Sequence, residues 1–240
     1  MSDYVSPNMN DRPDGVEIDT VVLHYTGMKT VDEALVRLCD PESQVSAHYL
    51  IQESGEIIPL VPEEKRAWHA GESAWRGRQN VNDFSIGIEL VNPGHEYGYR
   101  PFSEAQMDSL IRLLEELFYR HPIEVRNVVG HSDIAPMRKE DPGELFNWEL
   151  LASYNLAIWP DMPRECQQED ILKPGASGDD VKNLQRNLKK IGYNIEITSE
   201  FDLQTCYVVI AFQRHFTPTK IGDIWHQEAQ TALEQLLLQC

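Results

Sequence analysis

Two stretches of this sequence carry residue types that could do chemistry together. One is the loop Gly130-His131-Ser132-Asp133-Ile134-Ala135-Pro136-Met137-Arg138-Lys139-Glu140-Asp141-Pro142-Gly143. The other is a lone histidine in an apolar run, Val21-Val22-Leu23-His24-Tyr25-Thr26. Two imidazoles and a carboxylate from distant segments are what an open zinc site needs: three protein ligands and a fourth position for water. Such a set does metal-assisted hydrolysis. Singly, each element has a plain structural explanation, since a histidine at the end of a strand is usually a hydrogen-bonded core residue and Asp-Pro-Gly is usually a turn. A third segment adds weight. Phe84-Ser85-Ile86-Gly87-Ile88-Glu89-Leu90-Val91 is an apolar run of buried-strand type broken by one carboxylate. A buried carboxylate must be paired, metal-linked or protonated, so Glu89 needs a partner.

Five ordered motifs, His24-Tyr25-Thr26, Ser46-Ala47-His48-Tyr49-Leu50, Ala67-Trp68-His69-Ala70-Gly71, Ser85-Ile86-Gly87-Ile88-Glu89 and the Gly130 to Gly143 loop, resemble those of the type 2 N-acetylmuramoyl-L-alanine amidases. These are zinc enzymes related in fold to peptidoglycan recognition proteins, and the likeness spans roughly residues 18 to 150. The resemblance implies that His24, His131 and Asp141 hold Zn2+, that Glu89 is the general base and that Lys139 stabilises the transition state. The residue chemistry agrees. Zinc lowers the pKa of its water from about 15.7 to about 7. Glu89 would take the proton as water attacks an amide carbonyl, a role worth about 100- to 10,000-fold, and pass it to the leaving amine. Lys139 lies two residues before Asp141, so alternation in an extended loop would aim both to one side, with the cation beside the developing oxyanion. A solvated loop lysine is the plain alternative.

The other residues of the matched motifs are expected around the substrate. His48 and His69 would line the cleft or orient a ligand. Tyr25, Trp68, Trp75 and Arg76 would form walls for sugar rings and stem peptide, with core packing the alternative for Trp68. His95, His121, His215 and His226 are expected on the surface or in loops.

The resemblance also implies the reaction: hydrolysis of the amide between the lactyl group of N-acetylmuramic acid and L-alanine, in peptidoglycan or muropeptides, 1,6-anhydro forms included. A non-catalytic recognition protein on the same scaffold is the rival reading. Members of that kind typically lose a zinc ligand, and Asp141 speaks against it here. A zinc peptidase cutting within the stem peptide would differ only in which amide is placed over the metal.

Composition narrows the setting. The chain has 240 residues, 41% hydrophobic and 25% charged, an ordinary globular class with room for one or two domains. A net charge of −18 argues against nucleic acid and acidic lipid surfaces as partners. Cys39, Cys166, Cys206 and Cys240 are scattered, with no disulfide framework visible. No apolar run is long enough for a transmembrane segment, and Met1 to Gly15 is polar without a signal core. Peptidoglycan lies outside the inner membrane, so the choice is between an envelope enzyme and a cytoplasmic recycling one. Tyr25 and Asn80 stand where cytoplasmic members of the family generally carry asparagine and arginine. That favours the periplasm or envelope of a Gram-negative bacterium, and a monomer is expected.

The elements that must position these residues read as α/β. Apolar runs at 20–25, 45–52, 56–61, 84–91 and 125–130 predict strands, and Glu53-Ser54-Gly55 a tight turn. A helix is predicted at about 103–120, opened by a Ser103/Gln106 capping box, with a shorter one at about 31–38. The expected architecture is a mixed central sheet flanked by helices, with the metal at the ends of the strands carrying His24 and His131. From Trp159 to Gly178, prolines and glycines interrupt the pattern. This places a boundary near 165, between a catalytic domain (1–165) and a helical domain (166–240). In the latter, Ser177 is expected to cap a helix carrying Val181, Leu184, Leu188 and Ile191. Asp202 would open a second with Tyr207, Ile210, Ala211 and Phe216, and Ala229, Leu233, Leu236 and Leu237 mark a third. Three such helices close one small core. Val181-x-x-Leu184-Gln185-x-x-Leu188, Gly192-Tyr193, Phe201-Asp202 and Ala211-Phe212-Gln213 resemble the helical peptidoglycan-binding domain. The match departs from it at Glu200, where glycine is usual, and after Phe216, where the usual glycine-rich loop is lacking.

Overall fold

The computed structural model describes residues 4–163 and 169–239, so the predicted boundary near 165 lies outside the described residues. The strands are β1 (Met9–Asp11), β2 (Thr20–Tyr25), β3 (Tyr49–Ile51), β4 (Ile57–Pro59), β5 (Lys65–Ala67), β6 (Ala74–Trp75), β7 (Arg78–Gln79), β8 (Ser85–Leu90), β9 (Val128–Gly130), β10 (Asp170–Leu172) and β11 (Trp225–His226). The helices are α1 (Val31–Cys39), α2 (Gly94–Tyr97), α3 (Glu104–Arg120), α4 (His131–Ile134), α5 (Trp148–Ser153), α6 (Asp179–Ile191), α7 (Leu203–Phe216) and α8 (Gln227–Leu237).

Five strands form the mixed sheet, in the order β4-β3-β8-β2-β9, with β3, β8, β2 and β9 parallel and β4 antiparallel at one edge. Register does the positioning. Thr20 pairs with Ser85, Val22 with Gly87 and His24 with Glu89. Side chains alternate along a strand, so Ser85, Gly87 and Glu89 share a face with Val22 and His24, while Ile86, Ile88 and Leu90 share the other with Val21 and Leu23.

The second face is apolar and takes α3. Ser103 and Gln106 form the expected reciprocal capping box. Met107, Leu110, Leu114 and Leu117 then pack against Val21, Ile86 and Ile88 in one buried cluster. Each such side chain taken fully from water is worth about 1.5–3 kcal/mol, so this face anchors the sheet. On the first face, α1 covers Leu50, Ile58 and Leu60 at the β3–β4 edge. At the other edge the carboxyl-terminal helices cover Val22 and Val129. The ends of the strands bearing His24 and Glu89 lie between these two coverings.

Several boundaries differ from the sequence expectation. The strand expected from 45 begins only at Tyr49, because Ser46 spends its N–H on Trp68 O instead of on the sheet. The strand expected from 125 opens as a 3₁₀ turn, Val125–Asn127, before β9. Ser177 does not cap α6. Gly178 occupies that position at φ +113, a conformation open to glycine, while Ser177 bridges to Glu200. Asp202 caps α7 as expected, accepting from Thr205 N.

His226, expected at the surface, is 1% exposed and caps α8 by accepting from Ala229 N. His215 is likewise buried in α7. The helical module is not a separate bead: Val181, Leu188, Phe212 and Trp225 share one continuous cluster with Val22, Trp75, Val129 and Ile134. Among the described residues Cys39 and Cys206 are free thiols, and no helix is long and apolar enough to cross a membrane.

Candidate metal centre and cleft

His24 is the penultimate residue of β2, His131 follows β9 as the first residue of α4, and Asp141 lies on the loop returning from α4. Ser132 N–H donates to Asp141 O at 2.9 Å, closing that loop on itself. The three side chains converge in a buried triangle: His24 Nδ1 is 2.9 Å from Asp141 Oδ2 and 3.0 Å from His131 Nδ1, and His131 Nδ1 is 3.0 Å from Asp141 Oδ2.

Hydrogen bonds on the far sides of both rings decide what these atoms offer. His131 Nε2 faces the Ala70 carbonyl at 3.1 Å, and a carbonyl only accepts, so Nε2 carries the proton and Nδ1 a lone pair. For His24 the logic runs through a relay. The Ser85 hydroxyl donates to Val81 O at 2.7 Å, so its oxygen accepts from His69 Nε2 at 3.1 Å. His69 Nδ1 is then an acceptor and takes the proton of His24 Nε2, 3.1 Å away, leaving the lone pair on His24 Nδ1. Burial, then the neighbouring His131, brings the His24 imidazole down to about 4, so it is neutral at pH 7. Two imidazole lone pairs and a carboxylate oxygen facing one another in a dry site repel unless a cation sits among them. Tetrahedral ligands at zinc distances of about 2.0–2.2 Å lie about 3.3–3.6 Å apart, so the observed 2.9–3.0 Å triangle needs to open by only a few tenths of an ångström. The donor set therefore fits a metal ion.

The strand alternation explains how the relay is built. Ser85 supports His69, Gly87 makes room for it and Glu89 reaches the cleft. A Cβ at Gly87 would collide with the His69 ring, so glycine is required by close approach. His69 is placed against His24 Nε2 and also lines the cleft, so both positions expected of it are occupied by the one ring. His48 does not touch the cleft. It is fully buried, its Nδ1 accepting from Gly87 N at 2.9 Å and its Nε2 donating to Lys65 O at 3.1 Å. Its expected role in substrate binding is corrected to that of a strut behind His69.

The cleft, of about 750 Å³, is lined by His24, Glu89, His131, Lys139 and Asp141 among others, with Tyr25 and Trp68 on its walls. Glu89 is the half-buried member of β8, and its Oε2 is buried without a hydrogen-bond partner. Burial, then the charge of Asp141, raises its carboxyl well above the usual range, while Lys139 pulls the other way. Lys139 reaches this position from a turn, its N–H donating to Ala135 O at 3.1 Å, and not by alternation in an extended loop. Trp68 holds its wall position through Nε1, which donates to Asn10 Oδ1 at 2.6 Å. The Tyr25 hydroxyl contacts His95 Nδ1 at 3.0 Å.

Trp75 and Arg76 are not cleft residues. Trp75 is 3% exposed and meets Tyr193 edge-on at 5.4 Å, and Arg76 bonds Asn127 Oδ1 by its guanidinium and Gly192 O by its N–H. Both belong to the contact with the carboxyl-terminal module. Two cleft features were missed in the sequence. Arg138 ties the metal loop to Ala70 O, for which the Arg-Lys pair at 138–139 was a usable signal. Asn10 on β1 steadies Trp68, and no local pattern announces it.

A mixed sheet presenting a His-His-Asp set that could hold a metal ion, beside a cleft carboxylate, is the arrangement of a hydrolase. The profile of the family described as N-acetylmuramoyl-L-alanine amidase matches residues 14–144, and that of the putative peptidoglycan binding domain matches 177–220. The chain therefore belongs to the N-acetylmuramoyl-L-alanine amidase family, and it is an enzyme of that activity. It is 39% identical over 235 residues to the N-acetylmuramoyl-L-alanine amidase AmiD of Escherichia coli K12, covering 92% of this chain and 82% of that one. It is 36% identical over 160 residues to the 1,6-anhydro-N-acetylmuramyl-L-alanine amidase AmpD of Enterobacter cloacae, covering 60% and 83%. The structure of E. coli AmiD in complex with the substrate anhydro-N-acetylmuramic acid-L-Ala-D-γ-Glu-L-Lys matches with a TM-score of 0.77 at 35% identity, covering 96% of this chain and 93% of that one.

Proposed function

We propose that this amidase is zinc-dependent and cuts the amide between the lactyl group of N-acetylmuramic acid and L-alanine in peptidoglycan-derived muropeptides, 1,6-anhydro forms among them. The observation that carries the reading is the meeting of three lone pairs, from His24, His131 and Asp141, beside the partnerless carboxylate oxygen of Glu89. The substrate held in the E. coli AmiD complex, anhydro-N-acetylmuramic acid-L-Ala-D-γ-Glu-L-Lys, supports the choice of amide. When bound by these three side chains, zinc supplies Lewis-acid chemistry, polarising the scissile carbonyl and acidifying water.

The protein's own groups do the rest. Glu89, with its raised proton affinity, takes the proton of the attacking water and returns it to the nitrogen of L-alanine as the amide breaks. Lys139 faces the same cleft and offsets the charge growing on the carbonyl oxygen. The relay from Ser85 through His69 keeps His24 in the tautomer that presents its lone pair. Trp68 and Tyr25 wall the groove that takes sugar and stem. Residues 1–165 form the catalytic unit and 166–240 the wall-binding type module. Tyr25 and Asn80 favour work in the cell envelope, by a monomer.

The test is mass analysis of products after incubating zinc-loaded protein with a muramyl tripeptide and its 1,6-anhydro counterpart, with and without chelator. Release of an intact peptide led by L-alanine, abolished by chelation, is the expected result. Cleavage inside the stem, or turnover that survives chelation, would overturn the reading.

A further inference from the structure

A second buried polar cluster lies behind the metal loop and joins the two parts of the chain. Asp133, two residues beyond His131 in α4, is 1% exposed. Its Oδ2 accepts from Gly130 N at 2.7 Å and from His215 Nδ1 at 2.8 Å, and its Oδ1 accepts the Tyr193 hydroxyl at 2.7 Å. A carboxylate this deep is tolerated only because it is fully bonded. Of its three donors, the catalytic half supplies one and the helical module two.

The module's donors are themselves held in place. The His215 ring is sandwiched between Trp148 and Phe216, with centroids 3.8 Å away on each side, which fixes the plane in which Nδ1 points at Asp133. Tyr193 is 1% exposed, edge-on to Trp75, and follows Gly192, whose carbonyl accepts from Arg76 N. On the catalytic side, His131 is flanked by two committed amides: Gly130 N–H goes to Asp133 and Ser132 N–H to Asp141 O. The backbone that aims His131 is thus pinned from the cleft side by one aspartate and from the rear by another. The rear aspartate takes most of its bonds from the module.

We infer that Tyr193 and His215 are positioning residues for the metal centre, and that the helical module acts through Asp133 to set the backbone of His131. The module has this role whether or not it binds wall, and the inference rests on the metal site proposed above. Removing its two donors leaves Asp133 one amide partner, so the carboxylate turns or takes up water and Gly130 loses its anchor.

The experiment uses the full chain with Tyr193→Phe, His215→Phe, His215→Asn and the Tyr193→Phe/His215→Phe double variant. Zinc affinity is read by chelator competition, ligand geometry by the visible spectrum of the cobalt-substituted protein, and loop anchoring by hydrogen exchange at Gly130 in the metal-free chain. The double variant should weaken zinc by about tenfold or more, alter the cobalt spectrum, speed Gly130 exchange and lower kcat with little change in KM. Phenylalanine at 215 keeps the ring sandwich and loses the donor, whereas asparagine keeps a donor near Nδ1 and loses the sandwich. Asn should therefore recover most of the affinity that Phe loses. Should the double variant not fold, the three single variants make the same comparison. Wild-type zinc affinity and cobalt spectrum in the donor-less variants would overturn the inference, as would His215→Asn being as impaired as His215→Phe. A wild-type chain that takes up no zinc would overturn the metal reading along with it.

Discussion

His48 and the pair His24 and His131 are separated by one intervening ring, that of His69, and all are buried in the same half of the molecule. Around His48, Nδ1 accepts from the Gly87 amide and Nε2 faces the Lys65 carbonyl, with the Arg12 guanidinium, which donates to Ser85 O, lying 3.0 Å from the same Nε2. Around His24 and His131, the outer nitrogens are satisfied and the inner ones are not: both lone pairs face each other and Asp141. Burial and residue type are the same in the two places. What separates the strut from the proposed ligands is that the inner lone pairs of the latter converge on one another and on a carboxylate; a lone unpartnered nitrogen is not enough, since His215 Nε2 has no partner either. In the cleft the hydrogen-bond accounting fails to close at Nδ1 of two histidines and at Oε2 of Glu89, where the proposed metal and substrate would supply the missing partners.

The sharpest way to break this contrast is to remove one imidazole from each place. His131→Ala should abolish metal retention through dialysis and lower turnover by more than the roughly 10,000-fold upper range of a single general base. His48→Ala, at a comparable burial, should lose stability yet keep the metal. Metal analysis after dialysis decides; equal metal loss in the two variants would erase the distinction.

Glu89→Gln comes next in size. Turnover should fall by about 100- to 10,000-fold while metal content stays at the wild-type level. Stability should move the other way. The fold raises the Glu89 pKa, so ionising it costs stability at any pH above the unfolded value near 4.5. The metal-free variant should therefore melt higher than wild type at pH 7, with the gain vanishing towards pH 4. A variant with full activity and bound metal would remove Glu89 from the mechanism.

What could be read from the sequence divides along the same line. His24, Glu89 and the metal loop were legible because each is a polar residue in a locally apolar or turn-forming context, a mismatch visible within a few positions. The α3 helix was legible for the opposite reason, its cap and stripe being wholly local. Trp75 and Arg76 misled because their partners, Gly192 and Tyr193, lie more than a hundred residues on, and an aromatic beside a cation looks the same at a cleft wall as at a domain contact. His215 misled similarly: nothing near it in sequence announces Asp133. Ser177 has the right chemistry for a cap, but the chain needs a positive φ at the next residue, and glycine takes the position.

A smaller effect is expected where the relay is cut without touching a ligand. Ser85→Ala removes the acceptor that fixes the His69 tautomer, so His69 can turn its proton towards His24 and spoil the lone pair. Zinc affinity should weaken by about 10- to 100-fold, equivalent to about 1.4–2.8 kcal/mol, with the fold intact. Ser85→Thr, retaining the hydroxyl, should recover most of it if the extra methyl is accommodated beside Val81. Unchanged affinity in Ser85→Ala would mean that His24 holds its tautomer without help.

The mildest prediction concerns pH and the strut itself. Burial, then the cation of Arg12, lowers the His48 pKa to about 3, so the folded ring stays neutral while the unfolded one begins to protonate near 6.5. Above that pH neither state gains a proton and His48 adds no pH dependence. As pH falls from about 6.5 towards 3, only the unfolded chain takes one up, and stability drops by up to about 1.4 kcal/mol per pH unit. Asparagine at this position can still accept from the Gly87 amide through its oxygen but leaves Lys65 O short of a donor, so His48→Asn should be less stable at pH 7 by about 1–3 kcal/mol. Because asparagine does not titrate, that gap should close with acidification, and denaturant midpoints at pH 7, 5 and 4 would follow it. A gap that stays constant would mean His48 takes up its proton in the folded state as readily as in the unfolded one. In that case the two histidine environments would differ less than their hydrogen bonds indicate.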